Sequence, residues 1–65
     1  MMRKMKIHAF QLEIGDVIES DGRFLLVRKL RGSYVRGRGL LVDVSTDEDD
    51  HLLECLSVVN VYRGK

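Results

Sequence analysis

Val17-Ile18-Glu19-Ser20-Asp21-Gly22-Arg23-Phe24-Leu25-Leu26-Val27 is the stretch on which the fold turns. A β-branched run leads into Asp-Gly, the dipeptide that supplies the positive-φ positions of a two-residue hairpin turn, and a second apolar run leads out. The stretch predicts a hairpin with residues 17–19 in its first strand and residues 23–31 in a longer second one. Upstream, residues 6–10 read as a short strand and residues 9–12 as a turn towards Ile14-Gly15-Asp16. Downstream, a Gly-rich bend ends at Gly39. Leu40, Val42 and Val44 then alternate with Leu41, Asp43 and Ser45, the pattern of a half-buried strand.

Residues 52–56 and 60–63 are two further strand candidates, separated by Ser57-Val58-Val59. A helix competes for the first of these. Ser45-Thr46-Asp47-Glu48 fits a capping box, and Leu52, Cys55, Leu56 and Val59 recur at helical spacing. Strand is preferred over residues 51–56, because a helix there would leave the sheet too small to close. The expected architecture is all-β: one domain over residues 1–65, a small closed barrel of five strands, with a single 3-10 turn at Val58-Val59 before the last strand and residues 1–5 allowed to be disordered.

A chain of 65 residues buries only about 60% of the surface its unfolded form exposes, so the core is small and a deep catalytic cleft between lobes is not expected. Apolar residues at 45% and charged residues at 32% match a soluble globular domain rather than a disordered tail. The single Cys55 cannot form an internal disulfide, which points to a reducing compartment and hence to the cytoplasm. The longest apolar run, Phe24-Leu25-Leu26-Val27, is far shorter than the roughly 20 residues of a membrane-spanning helix, so no membrane partner is expected. Met1-Met2 reads as the start of an intact frame.

The net charge of +1 hides segregation. Residues 22–42 carry six cations (Arg23, Arg28, Lys29, Arg31, Arg36, Arg38) and no acid, while residues 43–54 carry six acids and no Lys or Arg. Residues 1–9 are basic and residues 10–21 acidic. A nearly neutral chain can thus present local fields strong enough to select a partner, and pairing of the basic and acidic segments between copies is one form of self-association.

Leu12-x-x-Gly15-x-x-Ile18-x-x-Asp21-Gly22-x-x-x-x-Val27 resembles the opening of the N-terminal, KOW-like domain of the translation elongation factor P family. The resemblance covers residues 10–44 and implies an SH3-like barrel, with Leu12, Ile18 and Val27 facing inward. In that family a Gly-Lys-Gly at the tip of the following hairpin bears a modified lysine that reaches into the ribosome. Counting on from Val27 leads to Gly37-Arg38-Gly39, where Arg38 occupies the lysine's place and cannot accept that modification. The family's two other domains have no counterpart here.

On its own chemistry, the segment Arg31-Gly32-Ser33-Tyr34-Val35-Arg36-Gly37-Arg38-Gly39 mixes guanidinium forks, which match phosphate, with glycines that permit close backbone approach and an aromatic ring able to stack on a base. Arg28, Lys29, Arg31, Tyr34, Arg36 and Arg38 are therefore the candidate contacts to nucleic acid or a ribonucleoprotein. The alternative is a protein-interaction module of the accessory type found in phages and mobile elements. Phe24 and Leu26 would face outward in the register that buries Leu25 and Val27, either forming a docking patch or lying covered by Ile7 and Phe10.

No catalytic constellation is evident, and no cofactor is expected. His51 and Cys55, four residues apart on a strand, would be separated by roughly 13 Å and could not share an ion or a proton. The acidic run at residues 47–50 lacks the spaced ligands and internal glycine of a calcium loop and reads as a solvated connection.

Overall fold

The computed structural model describes residues 2–64. Six strands form in chain order, β1 (Arg3–His8), β2 (Val17–Ser20), β3 (Arg23–Val35), β4 (Gly39–Thr46), β5 (Asp50–Glu54) and β6 (Val58–Arg63), with a 3-10 turn at Ala9–Gln11. They make one antiparallel sheet in the order β1-β6-β2-β3-β4-β5. The fold is all-β as expected. It has six strands rather than five, because every candidate segment forms one; β1 also starts at Arg3, so Arg3, Lys4 and Met5 are strand instead of a disordered lead, and β1 pairs with β6 along its length.

Local chemistry explains the first hairpin. Asp21 and Gly22 have φ of 51° and 77°, the left-handed pair of a type I′ turn, and Ser20 lies opposite Arg23 as that turn requires. The register then aligns Met5, Val61, Ile18 and Leu25 in a row across four strands. Leu25, Val61 and Ile18 are buried, and Val27 and Leu12 join the same core, so Leu12, Ile18, Leu25 and Val27 face inward as anticipated.

The barrel does not close. β1 and β5 are the two edges of the sheet, and a cavity of about 170 Å³ lined by Ile18, Leu25, His51, Leu53 and Val59 separates β5 from β2 and β6. At the end of this seam the 3-10 turn takes the place of strand pairing: Ala9 N–H donates to the Ser57 carbonyl at 2.8 Å and Phe10 N–H to that of Cys55 at 3.1 Å. The turn expected at Val58-Val59 therefore sits between β1 and β2 instead, while Val58 and Val59 open β6.

Residues 50–54 are strand, not helix. The Thr46 hydroxyl, in the midst of the capping-box sequence, accepts N–H bonds from Glu48 and Asp49 at 3.2 and 3.1 Å, and donates to the Asp49 carbonyl at 2.8 Å. It satisfies a tight turn rather than a first helical turn. Arg23 ties down the same turn through Glu48.

An ion pair ties the start of β2 to the end of β6. Arg63 donates from Nε and Nη2 to the two carboxylate oxygens of Asp16 at 2.8 and 2.9 Å, and Glu13 N–H donates to Asp16 at 2.9 Å. Asp16 is only 2% exposed. Burial pushes its carboxyl up, but the Arg63 fork, the Glu13 amide and the Arg63 charge together outweigh that and hold it below the usual carboxylate range. Removing Asp16 takes the acceptor from the Glu13 amide and the buried fork from Arg63, which keeps only Glu13 at 3.5 Å and the Gln11 carbonyl at 3.2 Å. Asp16→Ala is expected to cost about 2–4 kcal/mol of unfolding free energy in urea titration, out of a total of roughly 3–10 kcal/mol for a chain this long. Because the folded pKa is depressed, the contribution is present above the unfolded value near 4 and fades as pH falls through the lower folded value. The acid limb of the stability profile should accordingly be flatter in the variant than in the parent.

Candidate nucleic-acid interface

The basic segment lies on the hairpin of β3 and β4, the long feature of a molecule measuring 40 × 21 × 21 Å. Strand β3 contains an irregularity that decides where each cation points. Val27 pairs with Thr46 and Lys29 with Ser45, so Arg28 is an inserted residue, a β-bulge. Asp47 holds the strand just before it: its N–H donates to the Leu26 carbonyl at 3.0 Å, and its carboxylate accepts from Leu26 N–H at 3.0 Å. Ahead of the bulge the inward residues are Leu25 and Val27; beyond it Leu30 packs on the core. The inward parity has changed from odd to even. Without the bulge, Lys29 and Arg31 would continue the row of Leu25 and Val27 into the core.

The six expected contacts consequently do not share one face. Lys29 and Arg31 lie on the outer side, opposite Ser45 and Asp43 respectively, and line a mixed-charge depression with Asp43 and Asp50. Arg28 is exposed at the bulge. Tyr34 lies on the other face, directly opposite Leu40, in the row continued by Gly32–Val42 and Leu30–Val44. The structure brings together Tyr34, Arg36 and Arg38 at the hairpin tip, and separates Lys29 and Arg31 from Tyr34.

The tip is a tight turn: Arg38 N–H donates to the Val35 carbonyl at 2.9 Å, and Gly37 sits at φ 87° in the position where a type II turn demands it. Arg38 lies 4.0 Å from Glu54, with both side chains more than half exposed, and Arg36 makes no ion pair among the described residues. Tyr34 is 75% and Leu40 60% exposed. At the root of this apolar face a cavity of about 280 Å³ opens between the hairpin and the 3-10 turn, lined by Phe10, Leu12, Leu30, Leu41 and Cys55 among others. The Cys55 thiol faces the hairpin and donates to the Leu40 carbonyl at 3.2 Å.

Leu40 was not among the expected contacts, and the inward alternation assigned to β4 needs correction. Leu41 is fully buried while Leu40 is exposed, so β4 is apolar on both sides at this point. The uninterrupted Leu40-Leu41-Val42 triplet carries that signal, since consecutive strand residues face opposite ways.

The alternative contacts behave differently. Phe24 and Leu26 do point outward, 57% and 40% exposed. Ile7 and Phe10 do not cover them: Ile7 packs against the core, and Phe10 stacks on His8 with ring centroids 5.7 Å apart. Their neighbour is Tyr62, edge-on to Phe24 at 5.8 Å, with Lys4 over its ring and Glu19 accepting from its hydroxyl at 3.4 Å.

Comparisons with known protein families, curated proteins and solved structures found no match. Among the described residues, no helix is long and apolar enough to cross a membrane.

Gly37 has open space where a Cβ would stand, so only its backbone angle restricts substitution. Gly37→Ala is expected to lower stability by about 1 kcal/mol through left-handed strain alone, measured by thermal unfolding. The core-contact variant Leu25→Ala should cost about 3 kcal/mol in the same assay.

Proposed function

We propose that the chain is a non-enzymatic, cytoplasmic binding module of the SH3-like, KOW-like type that contacts nucleic acid or a ribonucleoprotein through the tip of the β3–β4 hairpin. The inward placement of Leu12, Ile18 and Val27 and the Asp21–Gly22 turn support the affiliation. The observation that carries the functional reading is the exposed Tyr34 beside Arg36 and Arg38 on a glycine-shaped turn. Tyr34 and Leu40 offer a flat apolar surface for a base, and the two guanidinium groups reach phosphates on either side. Lys29 and Arg31, facing the other way beside Asp43, add long-range attraction rather than contact.

Fluorescence anisotropy with short single-stranded RNA and DNA tests this reading. Binding should weaken with salt, and Arg36→Ala and Arg38→Ala should each reduce the slope of log affinity against log salt by about 0.7. Tyr34→Ala should cost about 1–3 kcal/mol of affinity with little change in slope. Absence of salt-dependent binding, or indifference to the double arginine change, overturns the reading.

A second reading rests on the uncovered Phe24 and Leu26: a protein partner docking on the outer face of β2 and β3. Here Phe24→Ser would abolish capture of that partner from nuclease-treated lysate, whereas Arg36→Ala would not.

A further inference from the structure

The two edges of the open sheet carry opposite charge. β1 presents Arg3, Lys4 and Lys6, and β5 presents Asp50 and Glu54 with Asp49 just before it; among the described residues neither strand has a second neighbour. By register, Lys4 and Lys6 lie on the outer side of β1, in rows with Tyr62 and Asn60, which continue through Val17–Leu26 and Glu19–Phe24. On β5 the exposed residues Asp50, Leu52 and Glu54 alternate with half-buried His51 and Leu53. They pair with Ser45, Asp43 and Leu41, the side of β4 away from Val42 and Val44. Lys4 and Lys6 on β1 and Asp50 on β5 thus lie on the outer face, whereas Arg3, opposite Arg63, lies on the other face of β1, and Glu54 sits opposite buried Leu41.

We infer that the occupant of each edge is a second copy of this chain, with β1 of one molecule adding to β5 of another. Unpaired strand edges are templates for pairing, and natural sheets commonly block them with charge. Here the charge blocks selectively. β1 against β1 sets Arg3, Lys4 and Lys6 against themselves, and β5 against β5 does the same with acids; only β1 against β5 joins opposite signs. In a continuous sheet the outward Lys4 and Lys6 of one copy fall on the same face as Asp50 of the other. Arg3, Lys6 and Asp50 are exposed and make no ion pair among the described residues, so they are available for this contact, while Lys4 is engaged with Glu19 at 3.5 Å and Glu54 lies 4.0 Å from Arg38. The contact is head-to-tail rather than two-fold, and it generates a ring or a filament according to whether the rotation closes.

Sedimentation velocity over a concentration series, at about 50 mM and about 500 mM salt, tests the inference in two charge-reversed chains, one with Arg3→Glu and Lys6→Glu, the other with Asp50→Lys and Glu54→Lys. The parent should associate in a concentration-dependent way and at least about tenfold more weakly at the higher salt. Each reversed chain alone presents two edges of one sign and should remain monomeric. An equimolar mixture should associate again, since each edge then meets its opposite. A parent that is monomeric throughout, association unchanged in the reversed chains, or a mixture of folded variants that fails to associate overturns the inference. Should either reversed chain lose its strand signature in circular dichroism, Lys6→Gln and Asp50→Asn replace the reversals, and each must weaken association several-fold. RNA binding through the hairpin tip is read separately by anisotropy, so failure there leaves this result standing.

Discussion

The inserted residue at Arg28 is the constraint on which the arrangement of the molecule depends. Two successive cations, Arg28 and Lys29, interrupt a strand whose alternate residues Leu25 and Val27 are buried. A charged side chain continuing that row into the core would have to shed its hydration without a partner, at a cost of several kcal/mol. The bulge avoids this by changing the parity, and Asp47 fastens the strand beside it with both its amide and its carboxylate. The same event hands β3 from its partner β2 to its partner β4, so one strand serves both halves of the sheet.

Much of this was legible where the signal is local. The Asp21-Gly22 turn follows from backbone sterics within two residues, and the inward positions of Leu25 and Val27 follow from alternation around it. Register is a relation between distant segments and is less visible: the position of the bulge depends on Thr46 and Asp47, and the parity of Tyr34 depends on the bulge. That is why the arginines and the tyrosine read as one strip in sequence but divide between faces in space. The Asp16–Arg63 pair was missed for a related reason, since an acid beside a turn and a base near the end of the chain look like ordinary surface charge until β6 sets them together. The 3-10 turn and the missing closure belong to the same class, because Ala9 and Phe10 compete for carbonyls at Cys55 and Ser57 that local pattern cannot reveal.

The charge segregation along the chain also changes meaning when folded. Antiparallel pairing lays the basic β3 against the acidic end of β4, placing Arg31 opposite Asp43, and brings Arg23 to Glu48 and Arg38 near Glu54. Exposed pairs of this kind contribute little stability each, yet they shorten the reach of the local field. Among the described residues Arg28, Lys29, Arg31 and Arg36 on the hairpin and Arg3 and Lys6 on β1 make no ion pair, so the uncompensated positive charge runs along the hairpin and the β1 edge rather than filling one half of the molecule.

Strand β6 lies between β1 and β2, so Val61 has Met5 on one side and Ile18 on the other, both far away along the chain. The pairings from β2 through β5 join consecutive segments and close short loops, whereas β6 must fix most of the polypeptide before it gains either neighbour. Loop-closure entropy therefore weighs on β6 more than on the consecutive strands β3, β4 and β5. The buried carboxylate at the start of β2 meets its guanidinium only when that step is complete, which makes the ion pair a lock on the finished topology rather than a guide towards it.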